Sequence, residues 1–293
     1  MTQTDPRALV NLAREAELRG DVARSLQLYD DALTLLGDER DLQLLADALR
    51  WKGTLHREQG ETEAAYRCYR QSLIHAETCG SVSCRAHVHN CLAIVAQRRG
   101  NLAESETLYA KAFELASKAG DVRLLGMIEQ NRGVLLNMRG NLVAAEARYS
   151  NSLSAFERAN DEEAVSWVLN NIGMLYTKLG HYQRAVEIFE RGLGIAQSRS
   201  DALVESILTL NLAEVWVAIG KLDQAEDACR RSLAGAVSRG DLLTVAGALK
   251  CRARIERERG AYDASVATLR IAIFEAEGLE DRLLQAEMLR EFG

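Results

Sequence analysis

The chain reads as an all-α protein built from one helical hairpin repeated in tandem, and three observations carry that reading. First, glycine recurs at Gly20, Gly60, Gly100, Gly140, Gly180, Gly220 and Gly260, a strict 40-residue phase. Second, Asp41, Ser81, Asp121, Asp161, Asp201, Asp241 and Asp281 mark a second phase of the same period. Third, the 293 residues include a single proline and 5% aromatics, and Ala, Leu, Arg, Glu and Gln dominate the rest. Those residues lose little rotamer freedom in a helix, so a strand-rich fold is excluded.

Each period predicts two helices. The Asp or Ser at its start is an N-cap whose oxygen accepts from an unpaired N–H of the first turn. About 18 residues of helical pattern follow. The phased glycine then supplies the left-handed conformation that ends this leading helix A. A second helix, B, runs to the next cap. Pro6 fits the first helix A, because its missing N–H is not needed in the first turn.

Packing positions repeat in the same frame. Helix A keeps a small residue at Ala13, Gly53, Ala93, Gly133, Gly173, Ala213 and Ala253. Helix B has one at Ser25, Ala65, Ser105, Ala145, Ala185, Ala225 and Ser265, followed four residues on by Tyr29, Tyr69, Tyr109, Tyr149, Phe189, Cys229 and Leu269. A small–apolar pair comes next, as in Ala32-Leu33 and Gly192-Leu193. Spacings of four and three put these side chains on one face, where small residues let helices approach and the bulky one fills the groove between neighbours. The periods run 1–40, 41–80, 81–120, 121–160, 161–200, 201–240 and 241–280, with a partial eighth helix A over 281–293. One array over 1–293 is therefore expected. Because terminal repeats normally carry a polar cap, the uncovered last helix suggests a continuation beyond Gly293 or a homodimer stacked through that end.

The run Ile172-Gly173-Met174-Leu175-Tyr176, with Gly180, Ala185, Phe189 and Gly192, resembles the tetratricopeptide repeat (TPR) family over essentially the whole chain. The period departs from the usual 34 residues and no proline closes helix B, which is similar to the longer-helix arrays of kinesin light chain, Leu-Gly-Asn-repeat and MalT-like proteins. The resemblance implies a right-handed superhelical solenoid of antiparallel helix pairs, with the A helices lining a concave surface.

Function is therefore expected on helix A. One position there gives Asn11, Trp51, Cys91, Asn131, Asn171, Asn211 and Cys251. Asparagine is a poor mid-helix residue, yet four of the eleven in the chain share this phase. By the resemblance, Asn131, Asn171 and Asn211 present amides to the backbone of an extended peptide. The alternative is that they bond neighbouring helices or water. The preceding position adds Arg50, Asn90, Gln130, Asn170, Leu210 and Lys250, and Trp167, Met127, Met138 and Met174 form either an apolar pocket or ordinary packing. Lys250 and Arg254 share the inner face with Arg257, where an acidic segment could dock. The wider run Lys250, Arg252, Arg254, Arg257 and Arg259 reads more simply as a solvated surface paired with Glu256 and Glu258.

Other chemistries are disfavoured. Net charge is −6, so no basic field exists to hold nucleic acid. No apolar run approaches the roughly 20 residues that span a bilayer. The N-terminus lacks the apolar core of a secretion signal, which makes a cytoplasmic location the expectation and the six cysteines reduced thiols. His75, Cys79, Cys84, His87, His89 and Cys91 cluster, but their spacing matches no zinc signature and no metal is expected. Phosphate-cradling loops, nucleophile elbows and H-E-x-x-H helices are absent, so neither catalysis nor a cofactor is expected. Two readings remain: a scaffold gripping an extended partner segment, or a peptide- or ligand-sensing domain of a larger signalling protein.

Overall fold

A computed structural model describes residues 5–37 and 41–277. All fourteen regular elements among the described residues are α-helices, packed as consecutive antiparallel pairs. They divide between two compact units, residues 1–139 and 140–293. The first unit holds α1 (Pro6–Leu18), α2 (Val22–Leu36), α3 (Leu42–Glu58), α4 (Thr62–Thr78), α5 (Val82–Arg98), α6 (Leu102–Ala119) and α7 (Val122–Met138). The second holds α8 (Leu142–Arg158), α9 (Glu162–Lys178), α10 (Tyr182–Ser198), α11 (Ala202–Ala218), α12 (Leu222–Arg239), α13 (Leu242–Glu258) and α14 (Tyr262–Glu277). Odd-numbered helices are the A helices of the 40-residue period. The expected eighth helix A, and with it the end-to-end homodimer, lies outside the described residues. No described helix is long and apolar enough to cross a membrane.

Helix boundaries follow the two phased signals. Asp41, Asp121, Asp161, Asp201 and Asp241 each accept from the backbone N–H three residues on, and Ser81 does the same with Cys84. Pro6 is the first residue of α1, behind the Asp5 cap. At the other end Gly20 has φ +76° and the next N–H, on Asp21, returns to the Ala16 carbonyl at 2.9 Å. This six-to-one bond closes the helix and turns the chain straight into helix B. A left-handed residue also precedes five of the A-helix caps: Gly80, Gly120, Asn160, Ser200 and Gly240 all have positive φ. Asparagine tolerates that region, which is why a glycine-only search overlooks this second turn.

The small–bulky register builds the core. Tyr29, Tyr69, Tyr109, Tyr149 and Phe189 are all almost fully buried. Gly53 and Gly173 lie directly under Tyr69 and Phe189, with no room for a side chain. Where the small position of helix B is serine, its hydroxyl ties the hairpin shut: Ser25 donates to the Ala13 carbonyl, Ser105 to Ala93 and Ser265 to Ala253, at 2.7–2.9 Å. Each buried hydroxyl bond is worth about 1 kcal/mol, and alanine at this site fits sterically because other repeats use it. Ser105→Ala is therefore expected to cost about 0.5–1 kcal/mol, read as a lowered urea midpoint. An unchanged midpoint would show that the bond contributes nothing net.

Within each unit, A helices touch the next A helices (α3 with α5, α5 with α7; α9 with α11, α11 with α13), while α2, α4, α6, α10 and α12 each pack on their own A helix and the following one, α8 on α9 and α14 on α13. The A helices thus form a continuous wall in each unit, and their half-buried residues are the ones available to a ligand.

Candidate functional site

The wall of the first unit carries Arg50 and Trp51 on α3, Asn90 and Cys91 on α5, and Gln130 and Asn131 on α7. Asn90 is buried, and its Oδ1 accepts from Asn131 Nδ2 at 3.1 Å. Gln130 is half-buried beside it. Arg50 donates to Asp47 Oδ1 at 3.1 Å and lies 5.1 Å over the Trp51 ring, which Arg14 covers at 5.3 Å from α1. The approach of both arginines to one ring is not readable from the sequence, since Arg14 reaches it from another hairpin.

His87 lies one turn before Cys91, with Nε2 3.5 Å from Asp121 Oδ2. Burial, and then the Arg50 charge, hold its imidazole below the usual histidine range despite the nearby carboxylates of Asp121 and Asp47. Cys84 donates weakly to Asp47 Oδ1 at 3.8 Å, and burial together with that carboxylate pushes its thiol up to about 12. A protonated thiol is a poor metal ligand. No three His, Cys, Asp or Glu side chains converge on a metal-sized site among the described residues.

The second unit presents a different wall. Trp167 on α9 is half-buried against the cluster of Ala185, Phe189 and Leu208. Asn170 is buried; its Oδ1 accepts from Asn211 Nδ2 at 2.6 Å, and its own Nδ2 lies 3.6 Å from Met174 Sδ. Met174 is half exposed. Asn171, next along α9, makes no side-chain hydrogen bond among the described residues. On α13, Lys250 is half-buried with Nζ 3.8 Å from Glu214 Oε1, and Arg254 follows one turn later, also half-buried.

The asparagine phase accordingly resolves into two behaviours. Asn131 and Asn211 each spend one N–H on the preceding A helix, at a sequence separation of 41, and keep their carbonyl oxygens. Asn171 keeps its whole amide. The buried partners Asn90 and Asn170 are structural acceptors, since each supplies the oxygen that its neighbour bonds. Met138 is exposed, at 3.1 Å from Gln97 Nε2, and Met127 packs on the buried cluster of Tyr109 and Ile128.

The basic run of α13 divides as well. Arg252 pairs with Glu256 at 2.9 Å, and Arg259 reaches back to Asp223 and Glu226 on α12. The same backward clip joins Arg99 to Glu63 and Arg139 to Glu106, both at 2.7 Å. An arginine at the end of helix A facing an acid at the start of the preceding helix B was a periodic signal that the sequence contained.

Comparison with known proteins agrees with this geometry. Tetratricopeptide repeat patterns match residues 124–198 and, separately, residues 86–119. No curated protein sequence matches the chain. Among solved structures, BtubC (BKLC) from P. vanneervenii is similar with a TM-score of 0.62 and 21% identity, over 81% of this chain and 93% of that one. A Rap protein complexed with Competence and Sporulation Factor gives 0.72 and 17%, over 96% and 75%. A STAND-class signal transduction ATPase with a tetratricopeptide repeat sensor, from Pyrococcus horikoshii, gives 0.71 and 14%, over 98% of this chain and 47% of that one. At such identities the likeness is one of fold.

Proposed function

We propose that this chain, a tetratricopeptide-repeat protein, is a non-catalytic cytoplasmic interaction module that holds an extended segment of a partner protein against the A-helix wall of its second unit. The observation that carries the reading is the amide of Asn171, unbonded on the wall beside the half-used amide of Asn211. An extended peptide offers alternating N–H and C=O groups, and free amides at successive helices match them with one acceptor and up to two donors each. Met174 and the edge of Trp167 supply apolar contact, while Lys250 and Arg254 favour an acidic side chain at one end of the segment. That a Rap protein with a similar fold was solved complexed with Competence and Sporulation Factor supports the choice of a bound partner molecule.

Selection from a random-sequence peptide library tests this. Enriched peptides are expected to carry an acidic residue near one end, and Lys250→Glu is expected to weaken them at least fivefold in calorimetry. A library that yields no binder, or binders indifferent to that reversal, would count against the reading.

A sensory role within a larger signalling protein is the second reading. It is favoured by the likeness of nearly the whole chain to less than half of a STAND protein described as carrying a repeat sensor. Both readings use the same wall and differ only in what binding controls.

A further inference from the structure

Cys229 breaks the series of rings on helix B: the five preceding repeats place Tyr29, Tyr69, Tyr109, Tyr149 and Phe189 there. In the second repeat the equivalent Tyr69 packs in one cluster with Cys91 on the next A helix. Positions 229 and 251 stand in the same relation four periods later and likewise share one buried cluster, where each thiol shifts the pKa of the other. Cys229 Sγ also lies 3.1 Å from the Ala248 carbonyl, one turn before Cys251 on α13. Both cysteines belong to one buried cluster, yet they differ in access. Cys229 lines a cavity of about 240 Å³ between α12 and α13, together with Leu233, Ile255, Arg230 and the ion pairs Arg252–Glu256 and Arg259–Glu226.

We propose that Cys229 and Cys251 form a redox-active dithiol, which hydrogen peroxide entering this cavity converts into an intramolecular disulfide joining α12 to α13. Cys229 is the entry thiol. Its sulfur attacks one peroxide oxygen, the O–O bond breaks, and the thiol proton leaves with the other oxygen as water, giving a sulfenic acid. Cys251 sulfur then attacks the Cys229 sulfur, the S–O bond breaks, and the departing hydroxide takes the Cys251 proton as a second water. Two thiols and one peroxide thus give one disulfide and two waters. The neighbours favour this order: the hydrogen bond from Cys251 lowers the Cys229 thiol pKa, with help from the Arg252 charge, and the same contact raises that of Cys251. Cys68 and Cys84, by contrast, are buried with thiols raised chiefly by burial.

The test exposes the reduced, folded full chain to hydrogen peroxide, then denatures and alkylates it for mass spectrometry. All six cysteines are expected to alkylate before exposure and two fewer after it, with the chain two hydrogens lighter and Cys229 linked to Cys251 in the digest. Six alkylated thiols after exposure, or a link between other cysteines, would overturn the proposal. In Cys251→Ala the reaction is expected to stop at a Cys229 sulfenic acid that dimedone captures. A Cys229 that takes no dimedone in that variant would remove it as the entry thiol and overturn the proposal too.

Discussion

A methyl group placed on Gly173 is expected to destabilise the second unit by about 2 kcal/mol, and Phe189→Leu in the same chain to recover most of that loss. A Cβ at Gly173 would stand 2.4, 2.6 and 2.7 Å from three atoms of the Phe189 ring, distances that real side chains do not sustain. The ring is almost fully buried and cannot swing into solvent. Overpacking of this kind costs about 1–3 kcal/mol, and contacts this short place Gly173→Ala at the upper end. Against it stands the better helix propensity of alanine, about 1 kcal/mol, which leaves the net figure. Elsewhere alanine at this position is met either by the smaller Cys229 opposite Ala213, or by the rings of Tyr29 and Tyr109 opposite Ala13 and Ala93, so the clash at Gly173 belongs to the close seating of the Phe189 ring. Urea denaturation of wild type, both single variants and the double variant gives a cycle in which the double change costs less than the sum of the two. Additive losses would mean that the glycine is not there for the ring.

The second large effect concerns the wall. Asn171→Ala combined with Asn211→Ala is expected to weaken a selected peptide at least tenfold, about 1.4 kcal/mol, with helicity unchanged or slightly raised. Two amide-to-backbone hydrogen bonds at about 0.5–1.5 kcal/mol each account for that loss. The pair lies within one unit, on adjacent A helices, so a single short segment can span it. Asn131→Ala, made on the wall of the other unit, is the control expected to leave this peptide unaffected. Calorimetric titration measures all three, and full affinity in the double variant would remove the amides from the account.

Much of the fold is legible in the residues themselves. The caps at Asp121 and Asp201, the turn at Gly180 and the burial of Tyr109 beneath a small-residue face each follow from local rules, because they involve groups within a turn or a hairpin of one another. The candidate site is legible only as a set of positions. Phase alone makes Asn131, Asn171 and Asn211 equivalent, but the folded walls separate them: two bond an asparagine 41 residues earlier and one does not. Likewise the basic run of α13 reads as one patch until packing sends Arg259 outward to α12 and leaves Lys250 and Arg254 half-buried on the wall.

By itself the sequence determined the repeat, its helix pairs, their caps and the face each helix buries, since a 40-residue pattern of small, bulky and capping residues restricts the backbone locally. Tertiary structure alone decided which amides remain free, that two guanidinium groups approach the Trp51 ring, and that Cys229 and Cys251 share one buried cluster. Those outcomes depend on the rotation and spacing of neighbouring helices to within a hydrogen-bond length, a quantity set by the packing of many side chains at once and encoded at no single position.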